Sequence, residues 1–310
     1  GISYEQIAEE RAYRKELQGE DKVQENVGQV VKASSIFGRR LGKVYVRIGE
    51  PISLREVFGE LSAPFPELDA DRREEVVQHT GERVMHSIGE NMVVMASGLV
   101  GLSLLAQSKR SIRRDKLDAR VRRLFQALKA TQAPIAHSLA NNTWSISRPL
   151  NRFESSRLIQ RTVIDGEEII RLVDDRRVTL EYYKNGILHH LAPLSLMASA
   201  IRAHREHFID GGRVATDSEI GEEVHRLFAK QIFLLRYEFT LEPDLDVDTL
   251  STKVLQGLKD YGAIHIDASG IAIAEKERIV ELAELTRNLV ESMGLTIRGA
   301  RALRHRDLNF

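Results

Sequence analysis

The sequence predicts a mainly α protein with minor β structure (α+β), and three observations carry that reading. Apolar residues recur at helical spacing through most of the 310 residues. Alternating, strand-like runs are confined to short stretches, the clearest at 42–54 and 263–274. Prolines number only seven, so few positions forbid a helix from continuing.

In chain order, a stub at 1–5 leads into a charged helical segment at 6–17, which ends near Gly19, a residue free to take the left-handed cap. A second helix follows at 22–37. From Gly42 the chain reads GKVYVRIGEPISL, with Val44, Val46 and Ile48 alternating with Tyr45 and Arg47 until Gly49 and Pro51 stop the run, which predicts a strand. The proline-rich LSAPFP at 61–66 precedes a long helical stretch and marks a domain boundary, giving domains at 1–61 and 62–310. One or two helices are expected over 71–107. A further helix over 112–131 carries Leu117, Val121, Leu124 and Leu128 as its core stripe. Periodicity is lost over 133–149, as in a loop, and 168–173 reads as a short strand. A helix over 178–191 places Leu180, Tyr183, Ile187 and Leu191 on one face, and helices continue to about 239. Near the end, a helix at 249–261, a hairpin at 263–274 turning at Ser269-Gly270, and a helix at 275–293 compose a winged-helix-like unit.

Composition narrows the function classes. Cysteine is absent, so there is no thiolate nucleophile and no cysteine metal site, as suits a reducing compartment. Lysine and arginine together equal aspartate and glutamate, so no global field recruits nucleic acid or an anionic membrane. The chain starts at Gly1 with no basic and apolar leader behind it, and its start reads as cut. The most apolar stretch, NMVVMASGLVGLSLLA at 91–106, is shorter than the roughly 20 residues that span a bilayer and reads as a buried core helix.

Local chemistry is sparse. GRRLGKV at 38–44 has three residues between its glycines and a valine after the lysine, so it is not a phosphate-cradling loop. Neither a dinucleotide fingerprint nor a nucleophile elbow occurs. His204 and His207 share a helical face, but nothing nearby nominates the third ligand that a metal needs, so surface histidines are the reading. His189 and His190, being adjacent, point to different faces of a helix, and at least one of them is structural. The basic run KRSIRRDKLDARVRR at 109–123 offers either a solvated helix face or a patch for lipid heads, phosphates or an acidic carrier protein. A regulatory or nucleic-acid-binding role for the winged-helix-like unit is the rival reading, opposed by the few cations of its first helix, Lys253 and Lys259.

Three segments in order, ISYEQIAEERAYRKELQGEDKVQENV at the start, GKVYVRIGEPISL at 42–54 and LEYYKNGILHHLAPLSLMASAI at 180–201, resemble the C-terminal half of bacterial membrane-associated glycerol-3-phosphate 1-O-acyltransferases. The resemblance implies the tail of an α/β acyltransferase domain at 1–61 and a mostly helical C-terminal domain at 62–310. It implies transfer of an acyl group from acyl-CoA or acyl-carrier protein to the first hydroxyl of glycerol 3-phosphate, with no cofactor, no metal and no nucleic acid. It also implies a peripheral position on the cytoplasmic face of the inner membrane.

That chemistry needs a general base, which the family carries in a His-x-x-x-x-Asp motif. None of the ten histidines has an aspartate five residues on, and the family's Phe-Pro-Glu-Gly block is absent as well, so the chain reads as a fragment inactive alone, with no catalytic residue of its own. Ile2, Ser3 and Tyr4 match the end of the family's fourth block, which implies that Ser3 and Tyr4 lie beside the substrate pocket. Tyr13, Lys15, Glu16, Leu17, Gly19 and Lys22 match a charged family segment. Lys15 and Lys22 are read either as cations toward substrate phosphate or as members of structural ion pairs. Gly42, Gly49, Glu50 and Pro51 are read as scaffold, as are Tyr182, Tyr183, Asn185, His189 and Pro193.

Overall fold

The structure, a computed structural model, describes residues 1–4, 43–59, 61, 63–107, 109–140, 145–204, 218–267 and 270–305. It is mainly helical with minor β structure, as expected, and divides into two compact units interleaved along the chain. One comprises residues 1–49, 90–122 and 133–187; the other comprises 50–89, 123–132 and 188–310. The helical segments expected at 6–17 and 22–37 lie outside the described residues.

The first unit opens with a two-stranded antiparallel sheet, β1 (Ile2–Tyr4) against β2 (Val44–Val46), in the register Ile2 to Val46, Ser3 to Tyr45 and Tyr4 to Val44. The period of two puts Ser3 and Tyr45 on the face toward the core and leaves Ile2, Val44 and Val46 exposed on the other. Of the one or two helices expected over 71–107, the structure has two. The first, Ala70–Glu90, lies almost wholly in the second unit; the second, Ala96–Leu105, is the core of the first unit, with every residue from Ser97 to Leu105 buried. A helix apolar all round can only be buried, and this one is.

The entry to Ala96–Leu105 is pinned by a parallel bridge: the Val94 amide donates to Pro134 O at 2.7 Å and the Ala136 amide to Val94 O at 2.9 Å. Gly98 and Gly101 let the helix Arg177–Leu188 approach closely. A Cβ on Gly98 would stand 3.1 Å from Ile187 Cγ2, and one on Gly101 would stand 3.1 Å from Tyr183 Cβ.

A three-stranded antiparallel sheet completes this unit: β3 (Ser111–Arg113) and β4 (Ile159–Ile164) flank β5 (Glu167–Leu172). The strand expected at 168–173 is therefore the centre of a sheet, with two partners that periodicity did not disclose. Ile112 belongs to β3, not to the helix that follows, which runs Arg114–Ala130. Ile112, Ile170 and Leu172 face inward and are buried. β4 and β5 are joined by Asp165-Gly166, with φ of 52° and 80°, the left-handed pair that a tight hairpin demands. In the stretch expected to be a loop, the structure has a short helix, His137–Ala140, and the start of another, Ser147–Ser155.

The second unit is built around the helix Ala192–Ala203. It packs on the helices Ser218–Leu235, Val247–Asp260 and Lys276–Leu285, burying Leu194, Leu196, Met197 and Ile201. Ser195, fully buried, donates to Leu282 O at 2.6 Å and meets Thr286 Oγ1 at 2.7 Å. Thr286 ends the helix expected over 275–293, and a second one, Arg287–His305, begins after it. Asp246 caps Val247–Asp260 by accepting from the Thr249 amide at 3.0 Å. The helix is followed by a hairpin, β6 (Ile264–Asp267) and β7 (Gly270–Ile273), so the expected helix, hairpin and helix are all present. Gly270, expected in the turn, is a strand residue opposite Asp267, and Ser269 lies outside the described residues.

Candidate functional site

The expected site residue Ser3 borders a cavity of about 90 Å³ inside the first unit. Four segments bring its wall together: β1 with Ile2 and Ser3, the approach to the buried helix with Met92 and Met95, the first turn of that helix with Ser97 and Gly98, and the helix Arg177–Leu188 with Tyr182, Tyr183 and Ile187. Ser3 is buried, and its Oγ accepts the Val93 amide at 2.8 Å while lying 3.9 Å from Met92 Sδ. Its hydroxyl therefore holds the approach segment against β1. Tyr4 closes β1 opposite Val44. Lys15 and Lys22, the expected phosphate contacts, lie outside the described residues.

The wall is apolar apart from hydroxyls. Among the described residues no histidine, carboxylate or cation lines it, so these residues supply no general base and no counter-charge for a phosphate. Ser97 is the residue that sequence reasoning missed: it is 3% exposed and its Oγ meets no hydrogen-bond partner. Its position in an apolar run read simply as core. The other residues carried over from the third motif are partly here, with Tyr182 and Tyr183 on the wall, and partly in the second unit, where His189 Nε2 donates to Gly89 O at 2.8 Å. That bond bears out a structural histidine. His189 and His190 sit in the turn after Leu188, so their rings meet at 4.0 Å instead of pointing apart as they would on a helix.

Elsewhere, His204 ends its helix 3.5 Å from Glu223, and His207 lies outside the described residues. Among the described residues no group of three potential metal ligands occurs. A histidine that the sequence did not single out, His225, bridges two helices, with Nδ1 3.3 Å from Ser251 Oγ and Nε2 3.0 Å from Asp248.

Four of the eight cations in the basic run pair with carboxylates. Arg110 pairs with Asp174, Arg113 with Asp115 and Glu167, and Arg114 with Asp118 and Glu168; Arg123 grips Glu281. Hydrogen bonding to Asp115 holds the Arg113 guanidinium above its ordinary range and the Asp115 carboxyl below its own. Arg122 and Lys116 are exposed. No helix among the described residues is long and apolar enough to cross a membrane.

The sequence matches the family model described as the glycerol-3-phosphate acyltransferase C-terminal region over residues 13–308. Among curated proteins it is similar to the glycerol-3-phosphate acyltransferase of Glaesserella parasuis serovar 5 (strain SH0165), 30% identical over 214 residues, covering 66% of this chain and 26% of that one. The glycerol-3-phosphate acyltransferases of Actinobacillus pleuropneumoniae serotype 5b (strain L20) and Pasteurella multocida (strain Pm70) are 31% and 30% identical, over 66% and 64% of this chain and 25% of each of theirs. The chain thus spans about a quarter of the length of the curated relatives it matches. With its match running through both units, this chain belongs to the family of glycerol-3-phosphate acyltransferase C-terminal regions.

Proposed function

We propose that this chain is the C-terminal part of a glycerol-3-phosphate 1-O-acyltransferase, which moves an acyl group from acyl-CoA or acyl-carrier protein to the sn-1 hydroxyl of glycerol 3-phosphate. The family match over 13–308 carries the reading. In the reaction the hydroxyl attacks the thioester carbonyl, a base takes its proton, the C–O bond forms, and the C–S bond breaks to release the thiol. The base comes from outside these 310 residues, because none of their histidines is followed at the fifth position by aspartate. The face of β1 and β2 that exposes Ile2, Val44 and Val46 is where the chain completes the acyltransferase domain.

The protein works at the cytoplasmic face of the inner membrane, held peripherally. Exposed Lys116 and Arg122 support contact with anionic lipid or carrier protein, while the ion pairs on Arg113 and Arg114 leave less of the basic run for that task. The test is acylation of radiolabelled glycerol 3-phosphate. The 310-residue chain alone should show none, and the same chain behind an upstream region bearing His-x-x-x-x-Asp should show it. Activity in the chain alone, or none in the longer protein with acyl-CoA and acyl-carrier protein both supplied, would overturn the proposal.

A further inference from the structure

The helix Ala70–Glu90, almost wholly in the second unit, turns its aliphatic side chains to solvent. Val77, Val84, Met85 and Ile88 recur at helical spacing, so they form one stripe with Gly81 at its centre, and their exposures run from 41% to 61%. The stripe spans about three turns, roughly 16 Å. The opposite side of the helix is the one that holds it to the unit: Val76 is buried, His79 Nε2 lies 2.9 Å from Asp244 Oδ2, and His86 Nδ1 donates to Thr240 O at 2.9 Å. A surface helix ordinarily turns its apolar stripe inward and its polar residues outward. In this helix the histidines face the unit and the larger apolar side chains face away.

Gly81 is an independent observation pointing the same way. Among ordinary residues only proline suits a helix interior less than glycine, and a Cβ at Gly81 would meet nothing within 4 Å, so no contact among the described residues requires it. A notch at the centre of an exposed apolar stripe does serve a partner, because it lets a bulky side chain approach the helix closely.

The charges beside the stripe select what covers it. Ala70–Glu90 carries five carboxylates against three arginines, and the ridge next to the stripe is Glu74, Gln78 and Glu82. Such a helix repels anionic lipid. A second copy is disfavoured as well, since antiparallel helices bring like ridges together and would set these carboxylates against their own counterparts. An amphipathic helix whose apolar stripe is flanked by lysine or arginine fits. Such a helix has a source in the reading proposed above: the chain spans about a quarter of the length of its curated relatives and matches a C-terminal region, so most of the longer protein precedes it.

We propose that the exposed stripe of Ala70–Glu90 is an intramolecular docking face, covered in the longer protein by a cation-flanked amphipathic helix of the upstream region with a large side chain seated over Gly81. The proposal rests on the acyltransferase reading for the existence of that region and on nothing else in it. The longer protein is made with p-benzoylphenylalanine at position 77, at position 85 or, as a control on another face, at position 75, and is irradiated with anionic phospholipid vesicles present.

Positions 77 and 85 should cross-link to upstream peptides richer in lysine and arginine than in aspartate and glutamate, and position 75 should not. Gly81→Leu should leave the melting temperature of the 310-residue chain unchanged or higher, because the space around Gly81 is open, and should cut the cross-link from position 85 at least about fivefold in the longer protein. Cross-links to a second copy, to lipid or to an acidic upstream segment would overturn the proposal, as would no cross-link at all or an undiminished one in Gly81→Leu. If that variant does not fold, the partner found from positions 77 and 85 decides alone. Acyl transfer by the same preparation reports separately on the proposed function: an inactive protein with the expected cross-link refutes that reading and leaves the docking face standing, whereas an active protein without it refutes the docking face alone.

Discussion

The ion pair of Arg123 and Glu281 allows a stability prediction to be worked from geometry. Glu281 receives Arg123 Nε at 2.7 Å and Nη2 at 2.6 Å, a two-point contact, with the two side chains 19% and 7% exposed. Hydrogen bonding to Glu281 raises the Arg123 guanidinium further, and burial pushes the neighbouring Tyr261 hydroxyl well above its ordinary range. Glu281→Ala leaves a guanidinium four-fifths buried, a class of change that costs about 3–5 kcal/mol. Glu277, exposed and 3.1 Å from Arg123 Nη2, returns at most about 1 kcal/mol of that. The expected loss is therefore about 2–4 kcal/mol, read from urea unfolding followed by far-ultraviolet circular dichroism. Glu281→Gln, which keeps the shape but not the charge, should cost about half as much, and Arg123→Met combined with Glu281→Leu should recover most of the loss, since a buried pair is replaceable by well-packed apolar groups at little cost. Raising the salt from 0.1 to 1 M should change the Glu281→Ala effect little, because buried pairs are weakly screened. A loss under about 0.5 kcal/mol, or a double variant no better than the single, would refute the reasoning.

Three further outcomes follow from contacts in each unit. Gly98→Ala and Gly101→Ala gain about 1 kcal/mol of helix propensity but push against Ile187 Cγ2, Tyr183 O and Tyr183 Cβ, so each should be neutral to about 2 kcal/mol destabilising, whereas Gly81→Ala, with open space around it, should stabilise by about 0.5–1 kcal/mol in thermal melts. Burial pushes the Glu284 carboxyl up, but hydrogen bonds from Arg202 at 2.5 Å and Arg287 at 3.2 Å outweigh it and hold it below its ordinary range. Its stabilisation should thus be present above about pH 4.5 and lost as pH falls further, and Arg202→Met should move the acid-unfolding midpoint upward. Arg114→Glu should lower the melting temperature by setting a carboxylate against Asp118 and Glu168, whereas Arg122→Glu, on an exposed residue, should leave it unchanged; equal melts for the two would refute the structural role of the Arg114 pairs.

What was legible in the sequence is what local periodicity encodes. The buried helix at Ala96–Leu105 was readable because nothing polar interrupts its apolar run except two serines, and the terminal helix, hairpin and helix were readable because the period changes from 3.6 to 2 and back. The β4–β5 hairpin is legible in principle: Asp165-Gly166 between two β-branched runs is a strong turn signal, and the expected strand at 168–173 is only its second arm. The break at Thr286 was not legible, since the helical pattern runs on through it. Thr286, where the break falls, meets Ser195, 91 residues earlier, a contact that a local pattern cannot contain.

The site shows the same limit in a sharper form. Counting charges over 109–123 describes a patch, yet Glu167 and Glu168 reach Arg113 and Arg114 from β5, and the resulting pairs turn much of that patch into scaffold. Ser97 goes the other way. In sequence it is a small residue in a core helix, and in the fold its buried hydroxyl meets no acceptor from the segments packed around it. Basic residues far in sequence from their carboxylates look functional and prove structural, while a serine inside an apolar run looks structural and carries the unpaired group. In both cases what decides is the partner across the fold, so a reading of residue types gains its physical meaning only when the long-range neighbours are known.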